Sequence, residues 1–191
     1  MYSVRFPDRM TELAPPTIIV TGARTVGKST LCHKVCAAVQ AQGYTCTGII
    51  TLRSPSGQLD VLDVRSGEKR QLTASTSTTR SLVQGRFTFD AQTIAWGNQV
   101  LAASTPGDLL VVDELGPLEF IRGEGWMTAF DVLARGEFAV ALIVVRPDLL
   151  ARARDELPLG VSAVVHVTHD TRDSLETSLL DSIGQCMSVC R

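Results

Sequence analysis

Residues 22–30 carry the side chains with the clearest chemistry in this chain. They form a complete GxxxxGKS pattern and its continuation, Gly22-Ala23-Arg24-Thr25-Val26-Gly27-Lys28-Ser29-Thr30. In such a loop the glycines let the backbone approach phosphate, Lys28 reaches the β and γ oxygens, and the Ser29 hydroxyl binds Mg²⁺. The pattern predicts that these nine residues bind the phosphates of a nucleoside triphosphate.

A second pair of chemically useful residues, Asp113 and Glu114, follows the apolar run at residues 109–112. A carboxylate at the end of a buried strand can hold Mg²⁺ opposite Ser29, and we assign this role to Asp113. Glu114 can act as the general base for attack of water on the γ-phosphate. The alternative roles for Glu114 are a second metal ligand or an exposed surface charge.

Arginines are the remaining candidates for catalysis and recognition. Phosphoryl transfer needs positive charge where negative charge builds up, and Lys28 with Mg²⁺ supplies it only in part. Four arginines could approach the phosphates, each with a solvated surface position as its alternative: Arg24, Arg53, Arg86 and Arg146. Arg172 could stack on a nucleobase, or cap a helix, or lie at the surface. The sequence has no NKxD motif, so guanine specificity is not indicated.

Alternating strands and helices must bring these residues together. The patterns predict strands at 18–20, 44–51, 109–112, 138–145 and 163–167, and helices at 29–42, 89–103, 124–135, 147–156 and 171–187. Residues 58–64 and 69–73 predict an added hairpin, and 73–81 a mobile loop. We therefore expect a three-layer α/β fold with a mainly parallel sheet. Ligands of such sheets bind beyond the carboxyl ends of the strands, where both motifs would meet.

Composition and charge limit the possible function classes. The chain has 191 residues, 45% of them apolar, which fits a single domain at residues 17–191 after an N-terminal leader at 1–16. With 18 basic and 20 acidic residues, the chain has no overall charge that favours nucleic acid or anionic lipid. The longest apolar run is far shorter than the ~20 residues that span a bilayer. We therefore predict a cytoplasmic protein without membrane partners.

The cysteines form an odd set of five without a CxxC pair: Cys32, Cys36, Cys46, Cys186 and Cys190. A disulfide framework is therefore not predicted. Two pairs have a spacing of four residues, so on helices each pair could offer two thiolates to a metal. We favour the other interpretation, that they are small apolar residues on buried helix faces.

Several segments together resemble the THEP1-type nucleoside-triphosphatases, small P-loop proteins of the RecA/AAA-like group. They are Gly22 to Thr30, the hairpin after Thr51, Gly85-Arg86-Phe87, and residues 112–119 and 167–173. The resemblance covers nearly the whole chain from Thr17, and its most specific part is the DExGxxE stretch. It implies a P-loop NTPase fold and slow, Mg²⁺-dependent hydrolysis of ATP, GTP and other nucleoside triphosphates with broad base tolerance. It also implies the roles given above to Lys28, Ser29, Asp113 and Glu114.

Two other functions are compatible with the same residues. In a kinase for a nucleotide or another small molecule, Glu114 would accept the proton of a substrate hydroxyl, and residues 73–86 would supply an arginine-bearing lid. Nucleotide consumption would then depend on an acceptor. In a nucleotide-dependent switch or accessory binding module, residues 73–81 would change order with the γ-phosphate. Hydrolysis to nucleoside diphosphate and phosphate is the leading hypothesis.

Overall fold

A seven-stranded sheet forms the centre of the computed structural model, which describes residues 14–74, 81–85, 87–160 and 162–189. The elements in chain order are β1 (Thr17–Gly22), α1 (Lys28–Ala41), β2 (Cys46–Arg53), β3 (Leu59–Asp63), β4 (Lys69–Gln71), β5 (Ser81–Gln84), β6 (Phe87–Asp90), α2 (Ala91–Ala102), β7 (Gly107–Leu115), α3 (Thr128–Arg135), β8 (Phe138–Val145), α4 (Leu150–Glu156), β9 (Ser162–Val167) and α5 (Arg172–Val189). The strand order is β4-β3-β2-β7-β8-β1-β9. The five strands from β2 to β9 in this order run parallel, and β3 and β4 add an antiparallel hairpin. The predicted mainly parallel sheet with an added hairpin is confirmed.

Helices cover both faces of this sheet. Successive side chains of a strand point to opposite faces, so in β1 Ile18 and Val20 pack in the core with α1 and α5. Ile19 packs on the other face, in the core that α2, α3 and α4 cover. The inner strand β8 is buried along nearly its whole length, as expected for a parallel strand covered on both sides. The predicted three-layer α/β architecture is confirmed.

A second hairpin, β5 with β6, was not predicted. Its strands pair in antiparallel register from Ser81 opposite Asp90 to Gln84 opposite Phe87. The sequence interpretation began a helix at Phe89, but Phe89 lies in β6 and also pairs with Thr73. Helix α2 begins two residues later, where the Asp90 carboxylate accepts the Thr93 N–H at 2.8 Å. Most of the predicted mobile loop at 73–81 lies outside the described residues.

Three other boundaries differ from the sequence prediction. Strand β7 continues to Leu115, beyond the predicted end at residue 112, and Asp113 and Glu114 lie at its carboxyl end as expected. The helix expected at 124–135 begins only at Thr128, after a π-helical turn at Leu118–Arg122. A 3₁₀ turn at Pro147–Leu149 precedes α4. These turns come from backbone hydrogen bonding over short spans, which apolar periodicity does not report.

Several expectations concern features outside the sheet. Residues 1–13 of the predicted leader lie outside the described residues, and the Pro16 carbonyl accepts the Ala141 N–H at 3.0 Å. Cys32, Cys36 and Cys46 are buried free thiols, Cys186 is also buried, and Cys190 is not described. Among the described residues, no group of three or more His, Cys, Asp or Glu could hold a metal ion. The helices in the described part of the chain are too short or too polar to cross a membrane.

Candidate active site

The loop between β1 and α1 has the backbone of an anion cradle. Gly22 has a φ of +148°, and a Cβ there would overlap the Val167 carbonyl oxygen of β9, so only glycine fits. Gly27, with a φ of +106°, precedes α1, and no side chain of the described residues caps that helix. The first amides of α1 are therefore available to an anion, which the helix dipole favours.

Lys28 lies inside this loop and is 7% exposed. Its ammonium donates hydrogen bonds to the carbonyl oxygens of Gly22 at 3.0 Å and Ala23 at 2.8 Å. The side chain therefore curls back over the loop that the sequence predicted to bind phosphate. Its charge is held at the amino end of α1, beside the free amides.

Asp113 and Ser29 lie together, as the sequence predicted. Asp113 is 1% exposed, and its carboxylate accepts a hydrogen bond from the Thr51 N–H at 3.3 Å. Burial raises the pKa of Asp113 to about 7, and the nearby Glu114 charge adds to this effect. The nearby Ser29 hydroxyl, the Thr51 N–H and the Lys28 charge lower the pKa, but burial outweighs them. A hydroxyl and a carboxylate thus form one set of hard oxygen donors.

Glu114 is partly buried next to this pair. Burial raises the pKa of its carboxyl above the ordinary value of 4.5, while the charges of Lys28, Arg146 and Arg24 lower it. A carboxylate with a raised pKa is a stronger base and can take a proton closer to neutral pH. Two of these cations, Lys28 and Arg24, belong to the phosphate loop, so Glu114 lies in the electrostatic field of that loop.

The candidate arginines have different surroundings. Arg146 follows β8, and its guanidinium donates from Nε and Nη2 to the two carboxylate oxygens of Asp148, each at 3.0 Å. Arg24 is exposed on the phosphate loop. Arg53 donates to the Gly57 carbonyl at 3.0 Å, and its Cζ lies 5.4 Å from the ring centre of Phe87. Arg86 is outside the described residues. Of those described, Arg24 and Arg146 act on Glu114, and Arg53 is held by its own turn.

Arg172 begins α5 and packs against the phosphate loop. Its Cδ lies 3.6 Å from the position that a Cβ on Gly27 would occupy. The exposed guanidinium lies 3.5 Å from the Asp173 carboxylate. The side chain therefore emerges beside the loop, on the β9 side.

Sequence reasoning missed Glu119. This carboxylate is 6% exposed and accepts two backbone hydrogen bonds, from Gly116 and Trp126, each at 2.8 Å. Burial raises its pKa to about 7, and the two N–H donors lower it. Its only signal in the sequence was the last position of the DExGxxE stretch, to which no role was attached.

Comparisons with known proteins agree with this geometry. A protein family described as NTPase matches residues 17–180. The nucleoside-triphosphatase THEP1 of Caldivirga maquilingensis is 28% identical over 176 residues, which are 90% of this chain and 97% of that protein.

Two solved structures have a similar fold. One is a human cancer-related nucleoside triphosphatase, with a TM-score of 0.66 and 22% identity over 88% of this chain and 97% of that one. The other is THEP1 from Aquifex aeolicus, with a TM-score of 0.64 and 19% identity over 87% and 98%. The family match spans the whole sheet, the phosphate loop and the carboxylates of β7, and the chain belongs to this NTPase family.

Proposed function

We propose that this protein is a nucleoside-triphosphatase that hydrolyses ATP, GTP and other nucleoside triphosphates to the diphosphate and phosphate, with Mg²⁺ as cofactor. The observation that carries the proposal is the proximity of the Ser29 hydroxyl to the buried Asp113 carboxylate, which joins the phosphate loop to the end of β7. Glu114 adjoins this pair, in the field of Lys28. Membership of the NTPase family supports the same reaction.

Residues 22–30 bind the triphosphate in this proposal. The amides at the start of α1 donate to phosphate oxygens, and the Lys28 ammonium exchanges its two carbonyl acceptors for β and γ oxygens. Because Lys28 is already buried in the loop, it needs only a short movement of its ammonium to make this exchange.

The oxygen donors of Ser29 and Asp113 fit Mg²⁺. Hard cations prefer hydroxyl and carboxylate oxygens, and burial raises the pKa of the Asp113 carboxylate, so a bound cation would stabilise its charged form. Ser29 and Asp113 would hold the ion, Asp113 usually through a bound water. When bound, Mg²⁺ neutralises charge that develops on the β and γ oxygens.

Glu114 accepts the proton of the attacking water in this mechanism. Its pKa is raised by burial, so its carboxylate has a stronger affinity for a proton than an exposed glutamate. Lys28 keeps Glu114 ionised before the reaction, because a nearby cation favours the charged form. The result is a charged base whose affinity for a proton is raised by burial.

Among the four arginines, we assign transition-state stabilisation to Arg146. Its charge acts on Glu114, and its aliphatic stem lies near Gly116, two residues after that carboxylate. Arg24 acts on Glu114 more weakly and belongs to the loop itself. The contacts of Arg53 with Gly57 and Phe87 give it a structural role.

We expect the protein to accept different nucleobases because Arg172 would recognise a base by stacking on it. A guanidinium that stacks on a ring face does not distinguish donors from acceptors on the ring edge. The stem of Arg172 packs on Gly27, so its head is available beside the phosphate loop. Together with the lack of an NKxD motif, this favours all four common nucleotides as substrates.

Two further properties belong to the proposal. Cys32, Cys36 and Cys46 are free thiols, which is typical of proteins from reducing compartments and supports a cytoplasmic location. The kinase alternative required a lid in residues 73–86, but Ser81–Gln84 pairs with β6 as a hairpin strand. Hydrolysis without an acceptor is therefore the reaction we propose.

The proposal is tested by phosphate release from ATP, GTP, CTP and UTP with Mg²⁺ and no acceptor. Wild type is expected to hydrolyse all four, and Lys28→Ala and Glu114→Gln to lose activity by about 10²-fold or more. Glu156→Gln, an exposed carboxylate of α4, is the matched control and should keep full activity. Full activity of Glu114→Gln would contradict the general-base role. Strict dependence on an added acceptor would identify a kinase.

A further inference from the structure

The backbone at Glu114 lies outside the regular pairing of the central sheet, although the Thr51 hydroxyl donates to the preceding Asp113 carbonyl at 2.8 Å. On the β2 side, the pairing of β7 ends with Ile50 opposite Asp113. On the β8 side, the register shifts between Val112 and Leu115, so Glu114 lies in the irregular part of the strand. The regular backbone pairing of β7 with its neighbours therefore does not fix the direction of the Glu114 side chain. Other contacts must fix it.

After Glu114 along the chain, the backbone is held by hydrogen bonds to the carboxylate of Glu119. Its Oε2 accepts the N–H of Gly116 and its Oε1 the N–H of Trp126. One buried side chain thereby closes residues 116–126 into a loop. No cation forms a salt bridge with Glu119 among the described residues, so these two amides are its principal partners.

Gly116 is the point where the Glu119 carboxylate meets the candidate catalytic groups. A Cβ built there would lie 3.8 Å from Glu114 Oε1, 3.8 Å from Glu119 Oε2 and 3.8 Å from the Cδ of Arg146. The two carboxylates also interact electrostatically, since the Glu114 charge is one cause of the raised pKa of Glu119. A change in the hydrogen bond between Gly116 and Glu119 must therefore alter the position of the Glu114 carboxylate.

Helix α2 supports the far end of the same loop. Asn98 donates to the Gly125 carbonyl at 2.8 Å and accepts the Thr128 N–H at 3.0 Å, on either side of Trp126. The ring of Trp126 packs directly on Gly97 of α2, where a Cβ would overlap it. The Trp126 amide is thus held in place, and the Glu119 carboxylate links it to the amide of Gly116.

We propose that Glu119 is a positioning residue for nucleotide hydrolysis, which fixes the backbone after Glu114 and so aims the Glu114 carboxylate at the attacking water. Glu119 itself does not touch the nucleotide in this arrangement. The inference rests on the general-base role proposed for Glu114. It adds a specific physical claim, that the effect of Glu119 on the reaction passes through Glu114.

The isosteric variant Glu119→Gln tests this claim. A glutamine oxygen can accept one N–H, but its amide nitrogen cannot accept the second, so one anchor is lost. We expect kcat for ATP with Mg²⁺ to fall by about 10- to 100-fold, as for an Ångström-scale misplacement. KM should change less than about twofold, because the phosphate loop is untouched. Glu156→Gln is the matched carboxylate-to-amide control.

A double-variant cycle separates positioning from general support of the fold. If Glu119 acts through Glu114, the variant Glu114→Gln/Glu119→Gln should be no slower than Glu114→Gln alone. A double variant that is slower by the full factor seen for Glu119→Gln alone would overturn the inference. So would a wild-type kcat for Glu119→Gln when Glu114→Gln is impaired, and this result would leave the proposed function intact. A wild-type kcat for Glu114→Gln would overturn both.

A second variant keeps the test valid if Glu119→Gln does not fold, as judged by thermal unfolding. Asn98→Ala leaves Glu119 in place but removes the two bonds that hold the backbone on either side of Trp126. It should lower kcat by about threefold to tenfold with KM unchanged. An unchanged kcat would overturn the inference.

Discussion

The guanidinium of Arg146 forms two parallel hydrogen bonds with the carboxylate of Asp148, from Nε to Oδ1 and from Nη2 to Oδ2, each 3.0 Å long. Such a fork fixes the plane of the guanidinium as well as its position. The pair is partly exposed, so its worth for stability is small, about 1 kcal/mol or less. Its importance lies in where it holds a positive charge, next to Glu114.

Arg146→Ala should therefore reduce catalysis far more than stability. We expect kcat to fall by about 10²- to 10³-fold, the size of effect seen when one group that stabilises transition-state charge is removed. Arg53→Ala, whose guanidinium is engaged by Gly57 and Phe87, is the matched control and should keep kcat within about twofold. Phosphate release under saturating nucleotide measures both. Equal losses in the two variants would contradict the assignment of Arg146.

Asp113→Asn should change the dependence on Mg²⁺. The amide has the size of the carboxylate but no charge, so the site loses the negative charge that attracts the ion. The Mg²⁺ concentration for half-maximal phosphate release should rise by about tenfold or more. Asp60→Asn, which removes a carboxylate from β3, serves as control. An unaltered Mg²⁺ requirement in Asp113→Asn would place the metal elsewhere.

Gly22→Ala should destabilise the protein because two effects combine. The residue has a φ of +148°, and its Cβ would overlap the Val167 carbonyl oxygen. We expect a loss of about 3 kcal/mol of unfolding free energy, together with loss of nucleotide binding. Gly43→Ala, with a φ of +86° and nothing within 4 Å, separates the backbone effect from the overlap and should cost about 1 kcal/mol. Similar losses in urea denaturation of both variants would show that the overlap is relieved.

The titration of Glu119 should appear in the pH dependence of stability. Its pKa is raised by burial to about 7 from an ordinary value of 4.5, so between these pH values the folded protein holds a proton that the unfolded chain has lost. The stabilising contribution of this carboxyl is therefore complete below pH 4.5 and is lost as the pH rises to 7, by about 1.4 kcal/mol per pH unit.

Glu119→Gln removes this titration. The unfolding free energy of the variant minus that of wild type should increase from pH 4.5 to pH 7 and stay constant above it. Other groups, including Asp113, titrate in both proteins and cancel in the difference. Urea denaturation at four pH values between 4.5 and 8 measures it, and a difference that does not vary with pH would contradict the raised pKa.

The sequence predicted the parts of the site that lie close together along the chain. The phosphate loop has every functional position within nine residues, and its flanking strand and helix are strongly apolar or periodic. Asp113 and Glu114 follow an unbroken apolar run, and the rule for carboxyl ends of parallel strands brings them to the same edge. The proximity of Ser29 to Asp113 agrees with that expectation.

The features that were missed depend on contacts that no local pattern encodes. The hairpin of β5 and β6 has only four residues per strand, and the alternation at Phe87 and Phe89 was too short to separate from the following helix. Glu119 binds backbone amides, which have no side-chain signature in a sequence. The choice between Arg53 and Arg146 depends on which partner each guanidinium finds in three dimensions.

The two hydrogen bonds that Lys28 donates to Gly22 and Ala23 have a consequence for how nucleotide binds. They connect the first residue of α1 to the start of the phosphate loop and so stabilise the shape of that loop. The phosphate loop would then have its binding conformation before nucleotide arrives, so binding would not have to order the loop. Association should be rapid, and stopped-flow binding should show a single phase whose rate increases linearly with nucleotide concentration. Differences in affinity should then lie chiefly in the dissociation rate.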